Sequence, residues 1–194
     1  MTLTRLRKQA SVVFTRAAEP LSRLPADFYT VLGFLGALAY LWPAWRDDPL
    51  LAAALLVVSG ALDALDGAVA RLRGEAGPRG GFLDSVLDRV ADTVYALGFY
   101  MLGYTPSQVI LFLGGSLITS YERARYEAAA KRSMEGTGLL ERADRVAAQA
   151  VVLLVHKYIG LSVAIKLYWL LVALSWATVA HRLLVGYRSL PRTQ

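Results

Sequence analysis

In a chain of 194 residues, 56% are hydrophobic, yet 21 lysines and arginines stand against 15 aspartates and glutamates, for a formal net charge of +6. That combination excludes an ordinary water-soluble domain, and so many charges cannot be scattered through lipid, so they must be sorted by position along membrane helices. Cysteine is absent, which excludes disulfides, thiolate metal ligands and thiol nucleophiles.

From the N-terminus, Leu6, Ala10, Val13, Ala17 and Leu21 recur at helical spacing, with Arg5, Lys8, Ser11 and Glu19 between them, before Pro20 and Pro25 interrupt. This pattern predicts an amphipathic arm over residues 1–24 that lies in the membrane interface. Its apolar runs are too short for a signal peptide, and no small-residue cleavage site follows. Residues 25–194 read as one membrane domain, with apolar stretches at 28–45, 50–65, 82–104, 109–118, 146–155 and 161–184. A bilayer core takes about 20 helical residues, so the second and fourth helices must run on through the polar segments 63–73 and 120–132, whose inner ends would line a cavity. If six spans place both termini on one face, that face collects Arg5, Arg7, Lys8, Arg71, Arg73, Arg182 and Arg188 among others, and only Arg46, Lys157 and Lys166 fall opposite. The asymmetry predicts a multi-pass protein of the cell membrane with both termini and the polar cavity toward the cytoplasm. Trp42 and Trp45, beside Arg46-Asp47-Asp48-Pro49, suit an outer interfacial belt and turn. Residues 156–160 read either as a tight turn or as part of one long segment. The expected fold class is all-α and polytopic, with six transmembrane helices and an N-terminal interfacial amphipathic helix.

Four aspartates, Asp63, Asp66, Asp84 and Asp88, sit in and beside this apolar sequence. Residues three or four apart share a helix face, so Asp63 pairs with Asp66 and Asp84 with Asp88 on two successive helices. An ionised aspartate at mid-helix costs roughly 2.5–3.5 kcal/mol, so four together require divalent cations or a wet cavity. The cluster therefore reads as a metal site, although intramembrane aspartates at this spacing would also serve a cation transporter. Asp92 continues the run one turn deeper and is expected to pair with an internal donor or ordered water. His156 and His181 have no metal-ligand spacing to another histidine.

The pattern Asp63-Ala-Leu-Asp66-Gly67-Ala-Val-Ala70-Arg71, then eight residues, then Gly80-Gly-Phe-Leu-Asp84-Ser-Val-Leu-Asp88 resembles the signature of the CDP-alcohol phosphatidyltransferase family at every fixed position. The resemblance implies that a hydroxyl attacks the β-phosphorus of a CDP-activated lipid directly and CMP leaves. It also implies two divalent ions, Mg2+ or Mn2+, with Asp63, Asp66 and Asp84 as chief ligands and Asp88 as both a contributor to metal binding and the general base. Spacing alone does not say which carboxylate is the base. Asp66, Gly67, Ala70, Arg71 and Gly80 would contact the CDP-lipid. The glycines would let it approach the backbone, Ala70 would keep the surface small and Arg71 would face the diphosphate. Gly67 and Ala70 suit close helix packing equally well. Thr30 and Gly33, in Pro25-Ala-Asp-Phe-Tyr-Thr30-Val-Leu-Gly33, resemble the family's Pro-Asn-x-x-Thr entrance, with the proline one residue farther away and the asparagine missing, which implies Thr30 as a further contact to the CDP-lipid. Asp27 there is expected to cap the first helix. Six membrane helices and a homodimer follow from the same resemblance.

Two segments point to the acceptor: Ser120-Tyr-Glu-Arg123-Ala-Arg125-Tyr-Glu127 and Glu141-Arg142-Ala-Asp144-Arg145. Guanidinium forks fit phosphate oxygens, so Arg123, Arg125, Arg142 and Arg145 suit an acceptor that carries its own phosphate. The segments resemble the Arg-Ala-Arg-x-Glu and Glu-Arg-x-x-Arg elements of the family's inositol phosphate branch, which implies 1L-myo-inositol 1-phosphate. Glycerol 3-phosphate or another alcohol would also satisfy an arginine pocket, and the lipid tails of the donor, diacyl or archaeal ether, are left open. A cytoplasmic membrane face, with anionic substrates and lipids, accounts for the positive charge without nucleic acid.

Overall fold

The computed structural model describes residues 18–134 and 136–191, and every regular element among them is helical. In chain order these are α1 (Ala26–Ala39), the short α2 (Leu41–Trp45), α3 (Pro49–Arg73), α4 (Pro78–Met101), α5 (Pro106–Ala130), α6 (Arg142–Tyr158) and α7 (Leu161–Ser189). Most of the amphipathic arm expected over residues 1–24 lies outside the described residues.

Local chemistry explains the boundaries. Pro49, Pro78 and Pro106 each sit in the first turn of a helix, where a missing N–H costs nothing. Asp48 caps α3 by accepting from the amides of Leu50 and Leu51, and Thr105 with Gln108 forms a capping box on α5. Between α1 and α2 the ladder is interrupted because Pro43 has no amide to donate to Ala39. Residues 156–160 resolve as a break: α6 stops at Tyr158, and Gly160, at φ 120°, starts α7. As the bilayer argument requires, α3 runs on to Arg73 and α5 runs past Ser120 to Ala130. Among the described residues, three helical segments are long and apolar enough to cross a membrane, Ala26–Trp45, Pro49–Arg73 and Leu161–Ser189. The others fall short because α4 and α5 carry the charged motifs and α6 has 17 residues.

Packing separates two halves of the bundle. The C-terminal half of α4 enters an aromatic core, where Tyr40 meets Tyr95 edge-on at 5.4 Å between centroids and Phe99 meets Tyr104 at 4.9 Å. Gly98 makes this core possible, since any Cβ there would collide with the Tyr40 ring. In the other half, α1 packs against both α3 and α4. A Cβ on Gly33 would lie 3.3 Å from the Ser59 carbonyl, and the Ser59 hydroxyl donates to the Gly33 carbonyl at 2.6 Å. Large apolar side chains such as Leu35, Val57, Val58, Ile110 and Leu183 are left exposed around the bundle, as a lipid-facing surface requires.

Candidate active site

Helical spacing on α3 and α4 turns the motif aspartates toward each other. One carboxylate oxygen from each of Asp63, Asp66 and Asp84 lies within 4.8 Å of the others. Asp66 is buried, and its Oδ2 meets no donor among the described residues. An all-oxygen set with an unpartnered buried carboxylate oxygen fits a hard divalent cation, because a buried anionic oxygen without a partner is costly. Asp88 stands beside Asp63, with which it shares Arg142 Nη1, and is held from both sides. Arg89 Nη2 stands 3.0 Å from its Oδ2, and Arg142 Nη1 stands 2.8 Å from its Oδ1.

Arg142 is the hub of the polar interior. The same Nη1 donates to Asp63 Oδ2 at 2.7 Å, and its Nε stands 3.5 Å from Asp92 Oδ1. Arg142 is the first residue of α6, whose start is fixed by a capping box between Glu141 and Asp144. Arg145, one turn on and buried, stands 3.9 Å from Asp92 Oδ2, which also accepts from the Ser116 hydroxyl at 3.1 Å. Asp92 thus meets an internal donor.

Beside the aspartates opens a cavity of about 250 Å³, and Thr30, Asp66, Gly67, Ala70, Arg71 and Gly80 all line it. A Cβ added at Gly67 would meet only Arg71 Nη1, at 3.5 Å, and one at Gly80 only Asp27 Oδ1, at 3.8 Å. These are ordinary contacts with side-chain tips, so helix packing does not demand glycine at either position; glycine there keeps the cavity open. Asp27 does not cap α1: the cap position is Pro25, and no side chain of α1 closes its end. Proline already sets the extended entry to the helix, and Asp27, inside the first turn, lines the cavity instead.

The structure divides the four arginines. Arg142 and Arg145 reach the aspartates, whereas Arg123 is exposed and donates to Glu127 at 3.0 Å. Arg125 lines a second cavity, of about 310 Å³, between the ends of α5 and α7. Positions two apart point roughly 200° apart around a helix, so Arg123 and Arg125 cannot share a face.

Sequence reasoning missed Arg182, which had been counted only as charge. It is buried on α7 and donates from Nε to the Thr137 carbonyl at 2.7 Å and from Nη1 to the Thr119 carbonyl at 2.8 Å. It thereby ties the connection that leads into Arg142 onto α5 and α7. The available signal was a polar stripe, Ser175, Thr178 and Arg182, at helical spacing in an otherwise apolar helix.

Residues 23–184 match the sequence profile of CDP-alcohol phosphatidyltransferases. The chain belongs to the CDP-alcohol phosphatidyltransferase family. As a member of that family it is an enzyme, and the cation-transporter reading falls away. It is 40% identical over 166 residues to the archaetidylinositol phosphate synthase of Aeropyrum pernix, covering 84% of each chain. It is 31% identical to the enzyme of that name from Pyrococcus horikoshii, covering 93% of this chain and 94% of the other. Among solved structures, this phosphatidyltransferase resembles phosphatidylinositol phosphate synthase of Mycobacterium tuberculosis with CDP-DAG bound. The TM-score is 0.79 at 26% identity, covering 93% of this chain and 96% of the other. The same mycobacterial enzyme in complex with manganese and citrate superposes with a TM-score of 0.78, covering 92% of this chain and 90% of the other.

Proposed function

We propose that this enzyme transfers the phosphatidyl or archaetidyl group of a CDP-activated lipid to the hydroxyl of 1L-myo-inositol 1-phosphate, releasing CMP. The observation that carries this reading is Arg142, a phosphate-fitting guanidinium placed on two carboxylates of the motif, Asp63 and Asp88. The names of the relatives from Aeropyrum and Pyrococcus support the inositol phosphate acceptor over glycerol 3-phosphate.

In this reading the nucleotide of the donor lies in the cavity, with Gly67, Ala70 and Gly80 leaving room, Thr30 and Asp66 at its wall, and Arg71 facing the diphosphate. Asp63, Asp66 and Asp84, with Asp88 contributing, would hold magnesium or manganese, two ions in all. When bound, these ions neutralise the charge that develops on the phosphoryl group and the departing CMP. Arg142 exchanges its carboxylates for the acceptor's phosphate, with Arg145 behind it, while Arg123, paired with Glu127, and Arg125, in the cavity between α5 and α7, stand outside that contact. That exchange frees Asp88 Oδ1, which takes the proton of the attacking hydroxyl as the new oxygen–phosphorus bond forms and the bond to CMP breaks. Arg89 stays on the other oxygen and holds the carboxylate in place.

The chain crosses the membrane six times as a homodimer, with the aspartates and both termini cytoplasmic. The exposed Trp42 and Trp45, with Arg46 stacked 5.7 Å over the Trp42 ring, suit the opposite interface.

The test is to incubate purified protein with magnesium and each CDP-lipid and to offer inositol 1-phosphate, glycerol 3-phosphate or free inositol separately, quantifying CMP and lipid product by mass spectrometry. Product with inositol 1-phosphate alone, lost in Asp88→Asn, is the expected result. Product with a different acceptor keeps the chemistry and refutes the reading of Arg142. An Asp88→Asn variant with full turnover removes the general base.

A further inference from the structure

Arg73 and Glu75 occupy none of the fixed positions of the aspartate motif, yet their side chains join the turn after α3 to the segment that enters α1. The guanidinium of Arg73 donates from Nε to Glu75 Oε1 at 2.6 Å and from Nη1 to the Ser22 carbonyl at 2.7 Å. The other oxygen of Glu75 accepts the amide of Ala26 at 3.3 Å. Ala26 opens α1, whose own cap position is a proline without a capping side chain. Glu75 therefore supplies from another element the anionic cap that this helix end lacks.

The ends of this linkage are walls of the donor cavity. Ala26 and Asp27 form one side, and Glu75, Ala76 and Gly77 form another. Among the described residues little else holds the second side. The turn after α3 is made by Gly74 in the left-handed region, at φ 68°, with the amides of Glu75 and Ala76 closing on the Ala70 carbonyl at 2.9 and 3.2 Å. Beyond that turn a Cβ at Gly74 would touch nothing within 4 Å, and one at Gly77 would meet only the Glu75 carbonyl at 3.8 Å. The first side is anchored independently: Tyr29 donates to the Leu21 carbonyl at 2.7 Å, and Ala18, Ala26 and Tyr29 pack with Leu65, Ala68 and Val69. A loosely supported loop thus faces a fixed helix start, and the Arg73–Glu75 ion pair, itself on the loop side, reaches across with two hydrogen bonds, to the Ser22 carbonyl and from the Ala26 amide.

We propose that Arg73 and Glu75 form a latch that holds the loop between α3 and α4 against the start of α1, and that this latch sets the affinity for the CDP-linked donor without taking part in the chemistry. The inference rests on the function proposed above only in naming the ligand. Arg73 is a positioning residue, outside the cavity lining, and Glu75 forms part of the cavity wall; neither is paired with the aspartates or Arg142.

The test compares Arg73→Ala, Glu75→Ala and Glu75→Gln with the parent enzyme, with circular dichroism to verify the fold. The apparent KM for the CDP-lipid is expected to rise about three- to tenfold in both alanine variants, while the KM for the phosphorylated acceptor and kcat at saturating donor stay within about twofold. Glu75→Gln, which keeps an oxygen acceptor, recovers most of the loss, and the double alanine variant is no worse than either single one because the two side chains act as one contact. Unchanged donor KM in the alanine variants overturns the latch, as does an equal rise in the KM for donor and acceptor. Binding of CDP, measured by calorimetry on parent and Glu75→Ala, needs no turnover. If the parent binds CDP but makes no product with any acceptor, the function reading fails while the ratio of the two Kd values still decides the latch. Equal Kd values, or no binding to the parent, overturn it.

Discussion

Arg142 concentrates most of the electrostatic burden of the site. One guanidinium compensates Asp63, Asp88 and Asp92, all within 3.5 Å, in surroundings where an unpaired carboxylate would be expensive. Arg142→Ala is expected to lower kcat/KM for the phosphorylated acceptor by roughly ten- to a hundredfold, equivalent to about 1.5–3 kcal/mol for a lost charge-assisted contact, and to raise the acceptor KM more than the donor KM. Arg142→Lys should recover little, because an ammonium cannot present the paired donors of the fork. Steady-state kinetics with each substrate varied separately checks both outcomes. At Asp66 the expected result is a weaker divalent site: Asp66→Ala should reduce manganese affinity measured by calorimetry, since it deletes a buried oxygen that meets no donor among the described residues. Glu75 gives a pH signature. The bond from Arg73 holds its carboxyl below the usual carboxylate range. A group with a depressed folded pKa contributes fully above its unfolded value and loses that contribution only as pH falls through the folded value. Donor KM should therefore show no break from Glu75 between about pH 8 and 5 and should rise only below the ordinary glutamate range.

At the scale of elements, the connection from α5 to α6 decides where Arg142 sits. Arg182 and Thr178 of α7 hold it, the latter accepting the Leu140 amide at 3.2 Å. Gly138 makes the close approach, at φ 114°, with a Cβ there only 2.5 Å from Thr178 Cγ2. Gly138→Ala is therefore expected to destabilise the fold by at least about 1–3 kcal/mol and to lower the melting temperature, with the acceptor KM rising more than the donor KM. A melting curve with paired kinetics tests this, and an unchanged acceptor KM would detach the connection from the site. Much of the element plan is readable from the residues themselves. The short apolar stretches at 50–65 and 109–118 imply the polar extensions seen in α3 and α5. The cap of α1 was misread, because a glutamate 49 positions away from Ala26 leaves no local pattern, whereas Asp27 offers a familiar one.

For the whole molecule, the expected orientation places Arg46 outside and Arg79 inside. The chain has no cysteine, so single-cysteine variants at these two exposed positions can be labelled without background. An impermeant maleimide should label Arg46→Cys on intact cells and Arg79→Cys only after the membrane is opened, and the reverse pattern would invert the topology. Residues close in the chain settled a great deal in advance. The aspartate cluster as a metal site and the helical plan rest on spacings of three and four that any α-helix converts into a shared face, and on the cost of placing carboxylates beside hydrocarbon, while the reaction class rests on the motif's resemblance to its family. The partners of those residues come from elsewhere: Arg142 on Asp63, Ser116 on Asp92, Glu75 on Ala26, Arg182 on Thr119. Each joins segments far apart in sequence, so each depends on how the helices lean against one another, and that is set by packing at small residues such as Gly33 and Gly98 rather than by any local pattern.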